Sequence, residues 1–123
     1  MSVDISANLV LRFFLEIGAL SGYVYWGWSM HSGNGRYLWS IGLVLLVAVL
    51  WGVFRVPGDP SSGGDVIIAV PGVFRLVIEL FVFGGSAFLM RQSGKEQYAI
   101  FFVILVLIHY IVGYQRILWL LEQ

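Results

Sequence analysis

The sequence contains no cysteine and few charged residues, and each absence excludes a class of protein. Without cysteine, a disulfide framework, a zinc knuckle, thiol catalysis and an iron–sulfur cluster are all ruled out. The chain carries seven basic and seven acidic residues and a net charge of +0, so no basic surface is available for nucleic acid. These values argue against a nucleic-acid-binding protein and against an ordinary soluble enzyme.

Apolar residues make up 59% of the chain, against roughly 45–50% in soluble domains, and the mean hydropathy is +0.89. Four apolar stretches come close to the roughly 20 residues that a membrane-spanning helix needs: 7–30, 37–54, 72–90 and 97–121. Because backbone groups in hydrocarbon must be satisfied within the segment, these stretches are predicted to be helices. Arg12 and Glu16 lie inside the first stretch, which is unlike a signal peptide, so we expect that helix to be retained.

The connections predict how the four helices are arranged. HSGNGR and RQSGKE, the first and third connections, are short enough to make consecutive helices antiparallel neighbours. The middle connection, residues 56–71, holds all three prolines and is predicted to be irregular; its VIIAV run is either an extended or interfacial stretch or an early start of the third helix. We therefore predict an all-α, polytopic membrane protein, with residues 1–123 forming a single four-transmembrane-helix up-down bundle.

The first and third stretches resemble each other when the chain is shifted by 63 residues. RFFLE at 12–16 then overlies RLVIE at 75–79, and the small pair at 21–22 overlies that at 84–85. At a shift of 61, the G-x-x-R sequence at 52–55 overlies that at 113–116. This pattern predicts two pseudo-repeated helical hairpins, related by an axis along the membrane normal.

Four charged residues lie inside the first and third predicted helices, where each charge costs at least about 2.5–3.5 kcal/mol: Arg12, Glu16, Arg75 and Glu79. In both helices the arginine precedes the glutamate by four residues, which is the less favourable order and places a cation near a helix N-terminus. We therefore expect cross-pairing between helices, Arg12 with Glu79 and Arg75 with Glu16. Because buried ion pairs seldom add net stability, the layer suggests binding or transfer; the alternative is that the pairs fix helix packing.

His109 is the only histidine within a predicted span. It shares one face of the fourth helix with Gly113 and Arg116, and counting inward from Arg116 puts it at nearly the depth of the two glutamates. A proton-relay or ligand-binding role is one interpretation, and a histidine hydrogen-bonded to a neighbouring helix is the other. A metal site lacks the paired Glu-x-x-His signature, and a single histidine argues against bis-histidine haem, so no cofactor is predicted.

Small residues let membrane helices approach closely, and six glycines are predicted to serve helix packing: Gly18, Gly22, Gly52, Gly84, Gly85 and Gly113. Gly18 and Gly22 form a small-xxx-small motif. It is expected to pack within the bundle, and the alternative is that it forms a homo-oligomer.

Three segments carry a resemblance to a known family: the Arg-x-x-x-Glu element of the first helix, WGVFRVP at 51–57 and RLVIELFVFG at 75–84. The chain resembles, over almost its whole length, the YrdB-like family of small prokaryotic four-helix membrane proteins. The resemblance implies the fold and a location in the prokaryotic cell membrane, and it adds emphasis to Arg12, Glu16, Arg75 and Glu79. It implies no activity.

The sequence leaves three functional hypotheses. The first is the binding or transport of a small polar or anionic ligand, or of protons, by Arg12, Glu16, Arg75, Glu79 and His109. The second is a non-catalytic membrane subunit or scaffold whose ion pairs fix helix packing. The third is an enzyme acting on a lipid or quinone-like substrate with His109 or a glutamate as general base; it is disfavoured because no G-x-S-x-G, H-E-x-x-H or cysteine is present.

Orientation depends on which arginines are counted. The terminal side of the predicted bundle has Arg12, Arg55, Arg75 and Arg116, and the opposite side has Arg36, Arg91 and Lys95. Counting all of them places both termini in the cytoplasm by the positive-inside rule, whereas excluding the paired arginines reverses the sign. The four arginines on the terminal side could alternatively contact the phosphates of membrane lipids.

Overall fold

The fold was analysed in a computed structural model that describes residues 2–58 and 67–123, and the side chains of the first helix from Ala7 onward. The described residues form five helices and one pair of two-residue strands. In chain order these are α1 Ser2–Ser29, α2 Asn34–Val53, β1 Phe54–Arg55, β2 Ile68–Ala69, α3 Gly72–Gln92, α4 Glu96–Val112 and α5 Tyr114–Leu121. The predicted helical class is confirmed.

Among the described residues, three helices are long and apolar enough to cross a membrane, by length and composition: Ala7–Ser29 within α1, all of α2 and all of α3. The fourth predicted helix, 97–121, is not continuous, because α4 and α5 meet at Gly113 with a bend of 69°. Glycine is a weak helix former, and a Cβ at this position would lie 2.6 Å from the Asn8 side-chain nitrogen. The prediction of one straight fourth helix is therefore wrong, and α5 turns back towards α3.

Helices α1 and α3 occupy the middle of the bundle. α2 packs mainly on α1, α4 packs mainly on α3, and the pairs α1/α4 and α2/α3 touch less closely. The buried core comes from all four long helices and includes Leu15, Tyr23, Val47, Val82, Phe83, Phe102 and Val106. α5 closes one end, where its buried Leu120 lies against the backbone of Gly72.

The distribution of polar and apolar side chains is the reverse of that in a soluble protein. The outward faces are apolar: Leu38 is 72% exposed, Phe81 is 69% exposed and Phe14 is 63% exposed. The buried set instead includes five polar or charged residues of α1, α3 and α4, namely Arg12, Arg75, Glu79, Ser86 and His109. Apolar surface on this scale is typical of a protein surrounded by hydrocarbon, so the helices are compatible with membrane insertion.

A short strand lies on either side of the segment 59–66, which is outside the described residues. β1 and β2 pair in parallel, with Phe54 opposite Ile68 and Arg55 opposite Ala69. Of the two interpretations of VIIAV, its residues 67–70 therefore follow the extended one, and α3 begins only at Gly72, directly after Pro71. Proline is well suited to this position because its fixed φ suits a helix start.

Close helix approach at glycine is found at some of the predicted positions. A Cβ at Gly22 would clash with Ser86 Oγ, one at Gly85 would lie 2.6 Å from Tyr23 Oη, and one at Gly18 would lie 3.2 Å from Phe102. The small-xxx-small motif thus packs within the chain. Among the described residues, nothing lies within 4 Å of a Cβ at Gly84, and the nearest atom to one at Gly52 is Arg55 Nη2 at 3.8 Å.

Two further close approaches were not identified from the sequence. A Cβ at Gly27 would lie 2.6 Å from the Ser40 amide nitrogen, and one at Gly72 would clash with the Leu120 backbone. Neither glycine belongs to a small-xxx-small motif, so only the packing of α1 on α2 and of α3 on α5 identifies them.

Hydrogen bonds to backbone carbonyls reinforce the approach of α1 to α3. Ser86 Oγ donates to the Ala19 carbonyl at 2.8 Å, and Tyr23 Oη donates to the Val82 carbonyl at 2.7 Å. Each is buried, and a buried hydrogen bond that loses one partner leaves the other unsatisfied at a cost of about 1–3 kcal/mol.

The glycine geometry predicts opposite effects for two substitutions of the same kind. Gly22→Ala should lower the thermal unfolding midpoint, because the new methyl group displaces Ser86 and overpacking typically costs about 1–3 kcal/mol. Gly84→Ala is the matched control and should leave the midpoint unchanged or raise it, since alanine is favoured over glycine in a helix by about 0.5–1 kcal/mol. Thermal unfolding in detergent measures both, and equal midpoints for the two variants would contradict the α1/α3 packing.

Candidate functional site

Helix α3 supplies the centre of a buried charged site. Arg75 and Glu79 lie one helical turn apart on its inward face, where Arg75 is 1% exposed and Glu79 is 0% exposed. The spacing of four residues brings Arg75 Nε to 2.9 Å from Glu79 Oε2. A carboxylate removed from solvent in this way must be neutralised by nearby donors.

Glu79 receives donors from α1, α4 and α5 as well as from its own helix. Arg12 Nη2 lies 2.9 Å from Oε2, and Tyr110 Oη donates to Oε1 at 2.8 Å. Arg116 binds in the bidentate manner, with Nη1 at 2.9 Å from Oε1 and Nη2 at 2.6 Å from Oε2. We name these five residues, Arg12, Arg75, Glu79, Tyr110 and Arg116, the Glu79 cluster. Its carboxylate accepts from three guanidinium groups and a phenol, so its acceptor capacity of about four lone-pair sites is filled.

Arg75 also reaches the end of a neighbouring helix. Its Nη1 donates to the carbonyls of Trp51 at 2.6 Å and Phe54 at 2.8 Å, at the C-terminus of α2. The last carbonyls of a helix have no partner within it, and a cation is favourable at that end of the helix dipole. Arg75 therefore caps α2 from α3.

The two predicted cross-pairs have different outcomes. The pair between Arg12 and Glu79 is present. The pair between Arg75 and Glu16 is not formed: Arg75 turns to Glu79 and to the α2 carbonyls, and Glu16 lies 3.3 Å from Arg12 within α1. Glu16 also accepts a hydrogen bond from Trp51 Nε1 at 3.1 Å. The physical reason is that Arg12, Arg75 and Arg116 all pair with the fully buried Glu79 carboxylate. Glu16 therefore lies at the edge of the site.

The two glutamates therefore have unequal environments. The side chain of Glu16 is 32% exposed whereas that of Glu79 is 0% exposed. The Arg12 and Arg75 guanidinium carbons lie 4.9 Å and 4.8 Å from the centroid of the Trp51 ring, and the ring nitrogen donates to Glu16 and not to Glu79. These contacts do not support treating the two hairpins as equivalent halves, as the predicted repeat would require.

His109 lies at the edge of the cluster, beside Arg12. Its Nε2 is 3.4 Å from Arg12 Nη1, and its Nδ1 is 2.8 Å from Asn8 Oδ1. Both contacts are satisfied when Nε2 accepts from the arginine and Nδ1–H donates to the Asn8 amide oxygen. This is the neutral form of the imidazole ring, protonated on Nδ1. Of the two interpretations of His109, the geometry corresponds to a histidine hydrogen-bonded to another helix. Within the part of the chain that the structure describes, no three His, Cys, Asp or Glu residues are grouped to hold a metal ion.

Sequence reasoning missed three members of the site: Tyr110, Arg116 and Trp51. Tyr110 directly follows His109, and Arg116 was recognised on the His109 face but only as a charge near the end of a span. A continuous helix would carry Arg116 away from Glu79. The bend at Gly113 brings it back, and nothing in the sequence except that glycine indicates the bend.

A small cavity adjoins Glu16. It has a volume of about 90 Å³ and lies between α1, α2 and α3, with Glu16 and Trp51 among its lining residues and apolar side chains around the rest. A water molecule occupies roughly 30 Å³ in the liquid, so this cavity is large enough for water or a small polar group. It places Glu16, and not Glu79, next to open space.

The difference between the two glutamates predicts different effects of the same substitution. Glu79→Gln should lower the free energy of unfolding by about 3–5 kcal/mol, because removing one partner of a buried ion pair leaves uncompensated charge. Glu16→Gln is the matched control and should cost less than about 1 kcal/mol, as for partly exposed pairs. Denaturant unfolding in mixed micelles measures both, and a loss at Glu16 equal to that at Glu79 would contradict the central position of Glu79.

Comparison with known proteins identifies a family and a relative that each match most of the chain. The family described as "Protein of unknown function (DUF2568)" matches residues 10–107. The chain is 42% identical over 116 residues to the protein named "Uncharacterized protein YrdB" of Bacillus subtilis (strain 168), covering 94% of each chain. No solved structure matches it significantly. The family match and the relative together confirm the resemblance seen in the sequence, and the chain belongs to this YrdB-like, DUF2568 family.

Proposed function

We propose that this chain is an integral-membrane protein of four spans, with α4 and α5 together forming the fourth. We further propose that it acts as a non-catalytic scaffold or subunit within the membrane, in which the Glu79 cluster fixes the positions of the helices. The apolar outward faces support the membrane location. The observation that carries the scaffold role is the saturated Glu79 carboxylate, which is bound from α1, α3, α4 and α5 together.

A saturated carboxylate is suited to fixing helices and poorly suited to carrying cargo. A proton carrier or an anion site must exchange partners during its cycle, and Glu79 would have to release charged donors that are themselves buried. Glu79 lines neither the cavity beside Glu16, nor the groove between α1 and α4, nor the groove between α2 and α3. Both ring nitrogens of His109 have partners, which gives no support to its use as a general base.

The second candidate is the binding or transport of protons, or of a small polar or anionic ligand, at Glu16. The supporting observation is its position: Glu16 is partly exposed, lines the 90 Å³ cavity and contacts both Arg12 and Trp51. Arg12 bridges Glu16 to Glu79 and His109, so a change at Glu16 would be transmitted to the buried cluster.

Proton flux distinguishes the two candidates. For a scaffold, proteoliposomes containing the wild-type chain should acidify no faster than protein-free liposomes under an imposed pH gradient, as measured with an entrapped pH-sensitive dye. If the wild-type chain gives proton flux above that background and the Glu16→Gln variant does not, the scaffold proposal is overturned in favour of proton transport. The Glu16→Gln variant is suitable for this comparison because its expected effect on stability is small.

The contacts of the arginines also bear on the orientation of the chain in the membrane, which depends on the number of basic residues in the loops on each side. Arg12, Arg75 and Arg116 are held by the Glu79 cluster and do not belong to the flanking loops that the positive-inside rule counts. The terminal side then retains Arg55, against three basic residues on the opposite side, Arg36, Arg91 and Lys95. We propose that the connections at 30–33 and 93–95 face the cytoplasm and that both termini face the other side, opposite to the expectation from counting all arginines.

Cysteine accessibility tests both the membrane location and this orientation. Because the natural chain has no cysteine, Ser93→Cys and Gln123→Cys each introduce a single thiol, one at each end of the bundle. In intact cells a membrane-impermeant maleimide should label the Gln123→Cys variant and should label the Ser93→Cys variant only after lysis. The reverse pattern would place the termini in the cytoplasm, and a protein absent from carbonate-washed membranes would contradict membrane insertion.

A further inference from the structure

A long groove runs along the outside of the bundle between α1 and α4. Its volume is about 470 Å³, its walls are mainly apolar, and Leu11 and Tyr25 both line it on α1. Fourteen residues separate these two positions, which is about 21 Å along a helix. Half of a bilayer's hydrocarbon core is about 15 Å thick, so the groove can accommodate one acyl chain over the depth of a leaflet.

Small residues of α1 form part of the groove wall. Gly18, Ser21 and Gly22 line it, and because the two glycines pack closely against Phe102 and Ser86, Ser21 is the one of the three that contributes a side chain to the wall. The Ser21 hydroxyl donates to the Ile17 carbonyl within the same helix, so it presents no unsatisfied polar group to an apolar occupant.

The groove has a cation at one end. Lys95 lines it where α4 begins, together with Tyr25 and Tyr98, and Lys95 Nζ lies 5.5 Å and 5.9 Å from the centroids of these two rings. Among the described residues no carboxylate forms an ion pair with Lys95. Arg36 and Arg91 lie at the same end of the bundle, where Glu96 at the start of α4 is the acidic residue. This end therefore carries positive charge in excess.

We propose that the α1/α4 groove is a binding site for one anionic phospholipid. Its phosphate binds Lys95 between the Tyr25 and Tyr98 rings, and one acyl chain lies along α1 past Ser21. The inference rests on the membrane location proposed above. It assigns the groove to a lipid because the site joins an apolar channel of acyl-chain length to an ammonium group without a carboxylate partner.

The positive charge of Lys95 at the end of the groove favours an anionic lipid over the other molecules that could cover this surface. An apolar helix from a second copy would cover the walls but would leave the Lys95 ammonium unmatched. A zwitterionic lipid carries a cation beside its phosphate, so it gains less from Lys95. An anionic lipid satisfies both parts of the site, and each lysine near a membrane surface attracts anionic lipid by an amount that corresponds to about a fivefold change in affinity.

Native mass spectrometry tests the site directly. The full-length chain, purified from carbonate-washed membranes, would be titrated in micelles with phosphatidylglycerol or with phosphatidylcholine of identical acyl chains. We expect one phosphatidylglycerol to bind about fivefold more tightly than one phosphatidylcholine. Lys95→Gln should abolish this preference and Lys95→Arg should keep it. Ser21→Trp, which fills the groove, should weaken the binding of both lipids.

Arg91→Gln is the matched control, because it removes one positive charge from the same end of the bundle at a residue that does not line the groove. It should leave the preference for phosphatidylglycerol unchanged. Equal affinity of the wild type for the two lipids, an equal loss in Arg91→Gln and Lys95→Gln, or dimers that exclude the lipid would each overturn the proposal. These outcomes leave the membrane scaffold intact, whereas absence of the chain from the washed membranes would remove the scaffold proposal itself.

Discussion

The burial of one carboxylate constrains the whole bundle. Glu79 is surrounded by apolar helices and is fully removed from solvent, a position that is strongly unfavourable for an unpaired charge. Its partners come from α1, α4 and α5, so these elements must pack where their side chains reach one small volume. The packing of apolar side chains alone tolerates sliding and rotation, whereas four donor side chains around the two carboxylate oxygens define a single arrangement.

The same requirement explains why the two hairpins differ in spite of their similar sequences. Arg75 serves two acceptors, the Glu79 carboxylate and the free carbonyls at the end of α2. A second complete cluster at Glu16 would need further arginines, but Arg12 and Arg116 are already committed to Glu79. Glu16 consequently keeps partial exposure, a Trp51 hydrogen bond and an adjoining cavity. The site thus combines a fixed charged centre, Glu79, with a partly exposed acid, Glu16.

The outside of the bundle follows a different rule from its centre. Its apolar side chains gain nothing by burial within the chain if hydrocarbon surrounds it, so close contact depends on small residues and on a few buried hydrogen bonds. Where glycines bring α1 to α3, the helices interlock through Ser86 and Tyr23. Where α1 and α4 diverge, a groove remains with Lys95 at its end. Polar groups and glycines thus determine which helices pack together, and the apolar outward faces make the bundle compatible with a hydrocarbon environment.

Length, apolar content and the positions of the charges were sufficient to predict the helical class, the apolar helices and the pairing of Arg12 with Glu79. The helical class and the apolar helices depend on local composition and helix periodicity, which a single sequence displays. The pairing of Arg12 with Glu79 is predicted because each charge needs an opposite charge on another helix inside an apolar bundle. The tertiary structure alone decided that Arg116 and Tyr110 join Glu79, that Arg75 caps α2 and that Glu16 stays at the edge. Partner choice depends on the rotation of each helix and on the 69° bend at Gly113. Both result from contacts between segments far apart in the chain, which no local pattern records.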